Sequence, residues 1–117
     1  MGSQMKPPSD EDMCKIVAIV EKISVPIFFG GDSFFFHTSE QIIQHICKDP
    51  RFDPDAADEL LHWLCKTDGS LSAGIRYSNE YWLFQGFRGH ETRIPISGPE
   101  KRTAICNLAK VILIGGE

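Results

Sequence analysis

The chain is short of positive charge: 12 Lys and Arg stand against 16 Asp and Glu, a formal net charge of −4 over 117 residues. A protein that neutralises phosphates over a broad surface needs the opposite balance, so nucleic acid is a disfavoured partner. Apolar runs long enough to cross a bilayer are missing, and the polar N-terminus lacks a signal-peptide pattern, so the expectation is a soluble protein with no membrane span. Cysteine is scarce and scattered. Cys14, Cys47, Cys65 and Cys106 include no CxxC pair, and three of them fall in apolar helical stripes where a reduced cysteine acts as a small hydrophobe, which favours a cytoplasmic location. The phosphate-cradling P-loop, the dinucleotide glycine fingerprint, the GxSxG elbow and the HExxH helix are all lacking, so local support for those chemistries is absent.

What the chain does have is aromatic strand-like sequence: Phe28-Phe29, Phe34-Phe35-Phe36 and Tyr81-Trp82-Leu83-Phe84. A strand with one wet face alternates apolar and polar residues, so large apolar side chains at both parities call for cover on both faces of the sheet. A chain of this size has few helices to supply it. The second face is therefore expected to meet a second copy or a partner. A composition of 42% apolar and 24% charged residues suits one globular domain.

Met1-Gly2-Ser3-Gln4 ahead of Met5 reads as an expression-vector remnant, and residues 1–8 as that remnant with a disordered lead-in to a single domain over 9–117. Ser9 with Asp12 forms the capping start of a helix carrying Met13, Ile16, Val17, Val20 and Ile23, ended by Val25-Pro26. Gly30-Gly31-Asp32 closes a hairpin. Thr38 with Gln41 suggests a second capping box, opening a helix over 38–48 whose buried stripe is Ile42, Ile43, Ile46 and Cys47. Asp53-Pro54 starts a helix over 54–66 with Ala57, Leu60, Leu61, Leu64 and Cys65 at helical spacing. Strands follow at 71–77, 81–87 and, more weakly, 92–96, and Ser97-Gly98-Pro99 opens a closing helix. The expected class is α+β: an antiparallel sheet with flanking helices in the order α-β-β-α-α-β-β-(β)-α.

Candidate chemistry is thin. His62 and Cys65 stand three apart on a helix with His45 and Cys47 nearby, but His45 and Cys47 would diverge around a helix, so the histidines read as surface residues and the cysteines as core. Asp53, Asp55, Asp58 and Glu59 lack calcium-loop spacing and suit a helix N-terminus. The expectation is no metal, no cofactor and no catalytic residue. Helices over 38–48 and 54–66 followed by a hairpin allow a helix-turn-helix with a wing, in which Arg76, Arg88 and Arg93 would line the wing while the second helix met phosphates with acidic residues.

The capped first helix, the short hairpin, the Leu60-Leu61-x-x-Leu64 helix, the strand Ala73-Gly74-Ile75-Arg76-Tyr77, its partner Tyr81-Trp82-Leu83-Phe84 and the closing helix resemble the small acidic chaperones of specialised secretion systems, both type III class I and type IVB adaptors. The resemblance implies a cytoplasmic, non-enzymatic, usually dimeric protein that holds a secreted substrate or couples it to export. The chain departs from the class I pattern in its helical 38–48 segment and in lacking an asparagine after the leucine pair. The leading expectation is a protein-binding adaptor or chaperone; a winged-helix regulator of nucleic acid or protein, and a small inhibitor or immunity protein, are the alternatives. The residues expected to bind protein are Trp82 and Phe84 with Arg76 and Arg88 at the rim, which share one strand face when the intervening turn is odd in length. Trp82 and Phe84 also suit a plain core.

Overall fold

A computed structural model describes residues 6–67, 75–77, 81–85, 91–95 and 99–115, with side chains for 6–64 and 99–115. The elements in chain order are α1 (Asp10–Glu21), β1 (Ile27–Gly30), β2 (Ser33–His37), β3 (Ile43–Lys48), α2 (Pro54–Thr67), β4 (Ile75–Tyr77), β5 (Tyr81–Gln85), β6 (Glu91–Pro95) and α3 (Pro99–Leu113). The strands form two three-stranded antiparallel sheets, β1-β2-β3 and β4-β5-β6. The α+β class with antiparallel sheets and flanking helices therefore holds.

Local chemistry explains the boundaries. Ser9 Oγ accepts from the Asp12 amide at 3.2 Å, and three acids occupy the first turn of α1. The helix stops at Glu21, before Val25-Pro26, because Lys22 turns left-handed at φ 57°. The amides of Lys22 and Ile23 then donate to the carbonyls of Ile19 and Ala18. Gly30 pairs with Ser33, leaving Gly31-Asp32 as a two-residue turn in which Gly31 takes φ 66°, the positive value that a type II′ hairpin demands at its first central position. Asp53 Oδ2 accepts from the Ala56 amide at 2.9 Å, so the Asp-Pro start of α2 is as the sequence predicts.

The segment 38–48 departs from expectation: it is a turn and a strand, not a helix, and with that helix goes the helix-turn-helix arrangement. Thr38 does cap, but it caps a turn. Its Oγ1 accepts from the amides of Glu40 at 3.3 Å and Ile42 at 3.2 Å, its own amide donates to the Ile42 carbonyl, and Gln41 sits at φ 63°. A side chain that satisfies helix N-terminal amides serves a turn equally well. The apolar pairing that mimics helical spacing has another origin. The register of β2 with β3 shifts between Phe34 and Phe35, so Phe34 pairs with Cys47 and Phe35 with His45, leaving Ile46 as an extra residue. That bulge lets consecutive Ile46 and Cys47 both pack on the core. Ile42 and Ile43, expected in a buried stripe, are 51% and 57% exposed.

The core gathers Met13, Ile16 and Val17 of α1, Phe34 of β2, Ala57, Leu60 and Leu64 of α2, and Ala104, Ile105, Cys106, Leu108 and Ala109 of α3. Lys101 to Asp58 at 3.0 Å joins α3 to α2, and Lys110 to Asp12 at 3.1 Å joins α3 to α1. The hydrogen bond from Lys110 holds the Asp12 carboxyl below its ordinary value, so this link is intact at neutral pH and lost as pH falls through that lowered value.

Beneath these lies a buried ion pair. Asp49 is 1% exposed and Arg51 8% exposed. Arg51 Nε donates to both Asp49 carboxylate oxygens at 3.0 and 3.1 Å, and one terminal nitrogen reaches Asp49 Oδ2 at 2.8 Å and Asp10 Oδ1 at 2.7 Å. The other donates to the Pro8 carbonyl at 3.0 Å. The guanidinium carbon lies 5.2 Å from the Phe29 ring centroid and 5.7 Å from that of Phe52. Burial works against the Arg51 charge, yet the hydrogen bonds and charges of Asp49 and Asp10 outweigh it and raise the Arg51 pKa above its ordinary value. The lead-in expected to be disordered is thus held over residues 6–8: Pro8 is buried and receives Arg51, and Asn107 Nδ2 donates to the Lys6 carbonyl at 2.8 Å.

Arg51→Ala leaves a buried carboxylate without its cation and is expected to cost ~3–5 kcal/mol in urea unfolding, as other broken buried pairs do. Lys101→Ala, at a partly exposed pair, is expected to cost under about 1 kcal/mol. Equal losses in the two variants would deny the Arg51 pair its structural weight.

Candidate functional site

Antiparallel pairing puts opposed residues on one face, so the register of the first sheet sorts its aromatics. Ile27, Phe29 and Phe34 lie with Cys47 on the face packed against the core, where the Phe29 and Phe34 rings meet at 5.0 Å. Phe28, Phe35 and His45 form a cross-strand row on the other face. Phe28 stacks on Phe35 at 5.6 Å, tilts against His37 at 5.2 Å, and His45 closes edge-on to Phe35 at 5.6 Å. His37 pairs with Ile43, and Phe28 is 38% exposed. A ladder of two phenylalanines and two histidines with open Ile43 beside it is an apolar and aromatic surface, with no helix laid over it among the described residues.

A second feature lies on the core side. Ile16, Val17 and Val20 of α1 face Ala56, Leu60 and Trp63 of α2 across a groove of about 170 Å³, floored by Cys47 and Pro50 and flanked by Glu21 and Glu59. Burial pushes the Cys47 thiol up to about 11, with the negative charges of Glu21, Asp49 and Glu59 adding to it. Burial likewise pushes Cys106 up to about 12 and raises Cys14, to which the charge of Asp10 contributes. Thiols so protonated are poor nucleophiles and poor metal ligands at neutral pH. Cys14, Cys47 and Cys106 are free. His45 and Cys47 stand on opposite faces of β3, and among the described residues no group of three or more His, Cys, Asp or Glu is placed to hold a metal.

Of the residues expected to bind protein, Arg88 lies outside the described residues, and Arg76, Trp82 and Phe84 are placed by backbone register alone. Trp82 pairs with Tyr77 and Ile94, and Phe84 with Ile75 and Thr92, putting these two at one parity of the central strand β5. Arg76 pairs with Leu83, which pairs in turn with Arg93, and so belongs to the other parity. The shared face required an odd turn, whereas the paired Tyr77 and Trp82 enclose residues 78–81, an even number. The Phe runs lead to an expectation of cover on a second sheet face but to no named binding residue there; that face carries Phe28, Phe35, His37 and His45. Its signal was present in the Phe-Phe runs, but the role of His45 depended on knowing that 43–48 is a strand.

The chain matches no known protein family, no curated protein and no solved structure.

A thiol raised from 9.0 to about 11 carries ~100-fold less thiolate at pH 8 than an ordinary cysteine. Iodoacetamide labelling of the native chain, followed by peptide mass mapping, should therefore modify Cys47 at least that much more slowly than in urea. Labelling of native Cys47 at the denatured rate would contradict the electrostatics of the groove.

Proposed function

We propose that this protein is a non-enzymatic protein-binding adaptor or chaperone that holds a partner protein on the outer face of its first sheet. One observation carries the reading: the Phe28, Phe35, His37 and His45 ladder, with exposed Ile43 paired to His37, lies on the face turned away from the core. A folded monomer gains nothing by leaving stacked phenylalanines and open isoleucines in water, and such patches mark interaction sites. Both β1 and β3 are edge strands of their sheet, so a partner has backbone groups as well as side chains to engage.

A second copy of the chain is the alternative occupant of this face, since a two-fold interface presents the same patch on both subunits. A cytoplasmic setting agrees with thiols that remain free and protonated. The resemblance to secretion-system chaperones supplies the kind of partner: a secreted substrate or a component of the export machinery. Two of its three motif leucines, Leu60 and Leu64, are core residues, so the binding surface is sought on the sheet rather than on α2. The net charge of −4 favours protein over nucleic acid.

The test joins Ile43→Asp to Phe28→Ser. The parent chain is expected either to run as a dimer in light scattering after gel filtration, its patch covered, or to run as a monomer that raises apolar-dye fluorescence; the double variant is expected to be a monomer with dye fluorescence at least about threefold below that of a monomeric parent. Both sites are partly exposed, so the thermal midpoint should stay within about 5 °C of the parent. A monomeric parent chain that raises no dye fluorescence would overturn the proposal.

A further inference from the structure

The groove between α1 and α2 has a shape and a charge pattern that the sheet surface does not share. Its walls are Ile16, Val17 and Val20 on one side and Ala56, Leu60 and Trp63 on the other, with Cys47 and Pro50 beneath. An apolar cavity of about 150 Å³ admits a benzene ring, so a space of about 170 Å³ suits one phenylalanine-sized or leucine-sized side chain. Among the described residues, the charged ones lining it are both acidic, Glu21 at the end of α1 and Glu59 in α2, both exposed and each near enough to act on the Cys47 thiol at the floor. Neither carboxylate is held in an ion pair among the described residues. An anionic ligand, such as a fatty acid, would bring its charge against theirs. A bulky apolar side chain with a lysine or arginine beside it would bury the ring and pair the carboxylates together.

We propose that this groove is a second binding site, which takes an apolar anchor residue from a basic segment of a partner protein. It lies on the core side of β3, opposite the Phe28 and Phe35 ladder, and its existence does not depend on what that ladder binds. The anchor would lie against the Trp63 indole, and the flanking cations would reach Glu21 and Glu59.

The test uses the full chain, isotope-labelled for amide and indole NMR, titrated with two peptides: Lys-Lys-Phe-Lys-Lys and Glu-Glu-Phe-Glu-Glu. The lysine peptide is expected to bind roughly ten-fold or more tightly than the glutamate peptide, shifting the Trp63 indole and the amides of Val20 and Ala56. The combined Glu21→Lys and Glu59→Lys variant should reverse that preference. Ala56→Trp, which fills the groove, should abolish binding of both peptides while the spectrum elsewhere stays that of the folded chain. Should Ala56→Trp fail to fold, the charge reversal decides alone, because it alters only exposed side chains. Equal affinity of the two peptides for the parent chain would overturn the proposal. So would shifts centred on Phe28, Phe35 and Ile43, which would leave the sheet surface as the one binding face.

Discussion

The packing of the first half of the chain depends on one buried charge, the guanidinium of Arg51. Moving a cation out of water costs several kcal/mol, recovered only if every donor finds an acceptor. Here the acceptors come from three places: Asp49 two residues away, Asp10 at the start of α1, and the Pro8 carbonyl in the lead-in. The constraint therefore acts at a distance. It fixes where the chain enters α1, presses the Phe29 ring of β1 against the guanidinium, and holds the 49–53 turn, in which the Asp49 carbonyl accepts from the amides of Phe52 and Asp53. Because Asp53 caps α2, the orientation of that helix against α1 follows from the same ion pair.

The geometry of the proposed sites follows in turn. Ile16, Val17 and Val20 of α1 and Leu60 and Trp63 of α2 line an open groove between the two helices. The sheet below supplies the floor through Cys47, which reaches it because the bulge at Ile46 places two successive residues of β3 against the core. The same bulge resets the alternation so that His45 joins Phe28 and Phe35 on the far side. One extra residue in one strand thus determines the composition of both surfaces.

Those surfaces suit different contacts. The outer face is aromatic, with imidazoles that offer hydrogen bonds, and it favours a broad partner or a second copy. The groove is narrow, apolar and acidic at its lip, and it favours a single inserted side chain. A protein that holds another chain gains from having both, since two weak contacts joined on one partner bind far more tightly than either alone.

Several elements were legible in the sequence because their causes are local. Ser9 and Asp53 cap helices through amides three residues away, Gly31 supplies a positive φ that other residues avoid, and the spacing of Met13, Ile16 and Val17 or of Leu60 and Leu64 states which face is buried. The doubly apolar strands likewise announced a sheet with two faces to cover. What the sequence left open required a partner distant in the chain. The pairing Thr38, Gln41 and the Ile42, Ile43, Ile46, Cys47 series fit a helix as well as a turn and a bulged strand, and the choice was made by β2, which offered a register for 43–48 to join. Arg76 belongs to the strand parity opposite that of Trp82 because it pairs with Leu83, a matter of register rather than composition. Nothing local to Arg51 announces its burial; folding brings Asp10 and Pro8 from about forty residues away to enclose it. The residues alone determined the capped helices, the first hairpin and the presence of apolar strands; the tertiary structure decided which faces of those strands meet water, because that depends on register and on the burial of a charge whose partners lie far off in sequence.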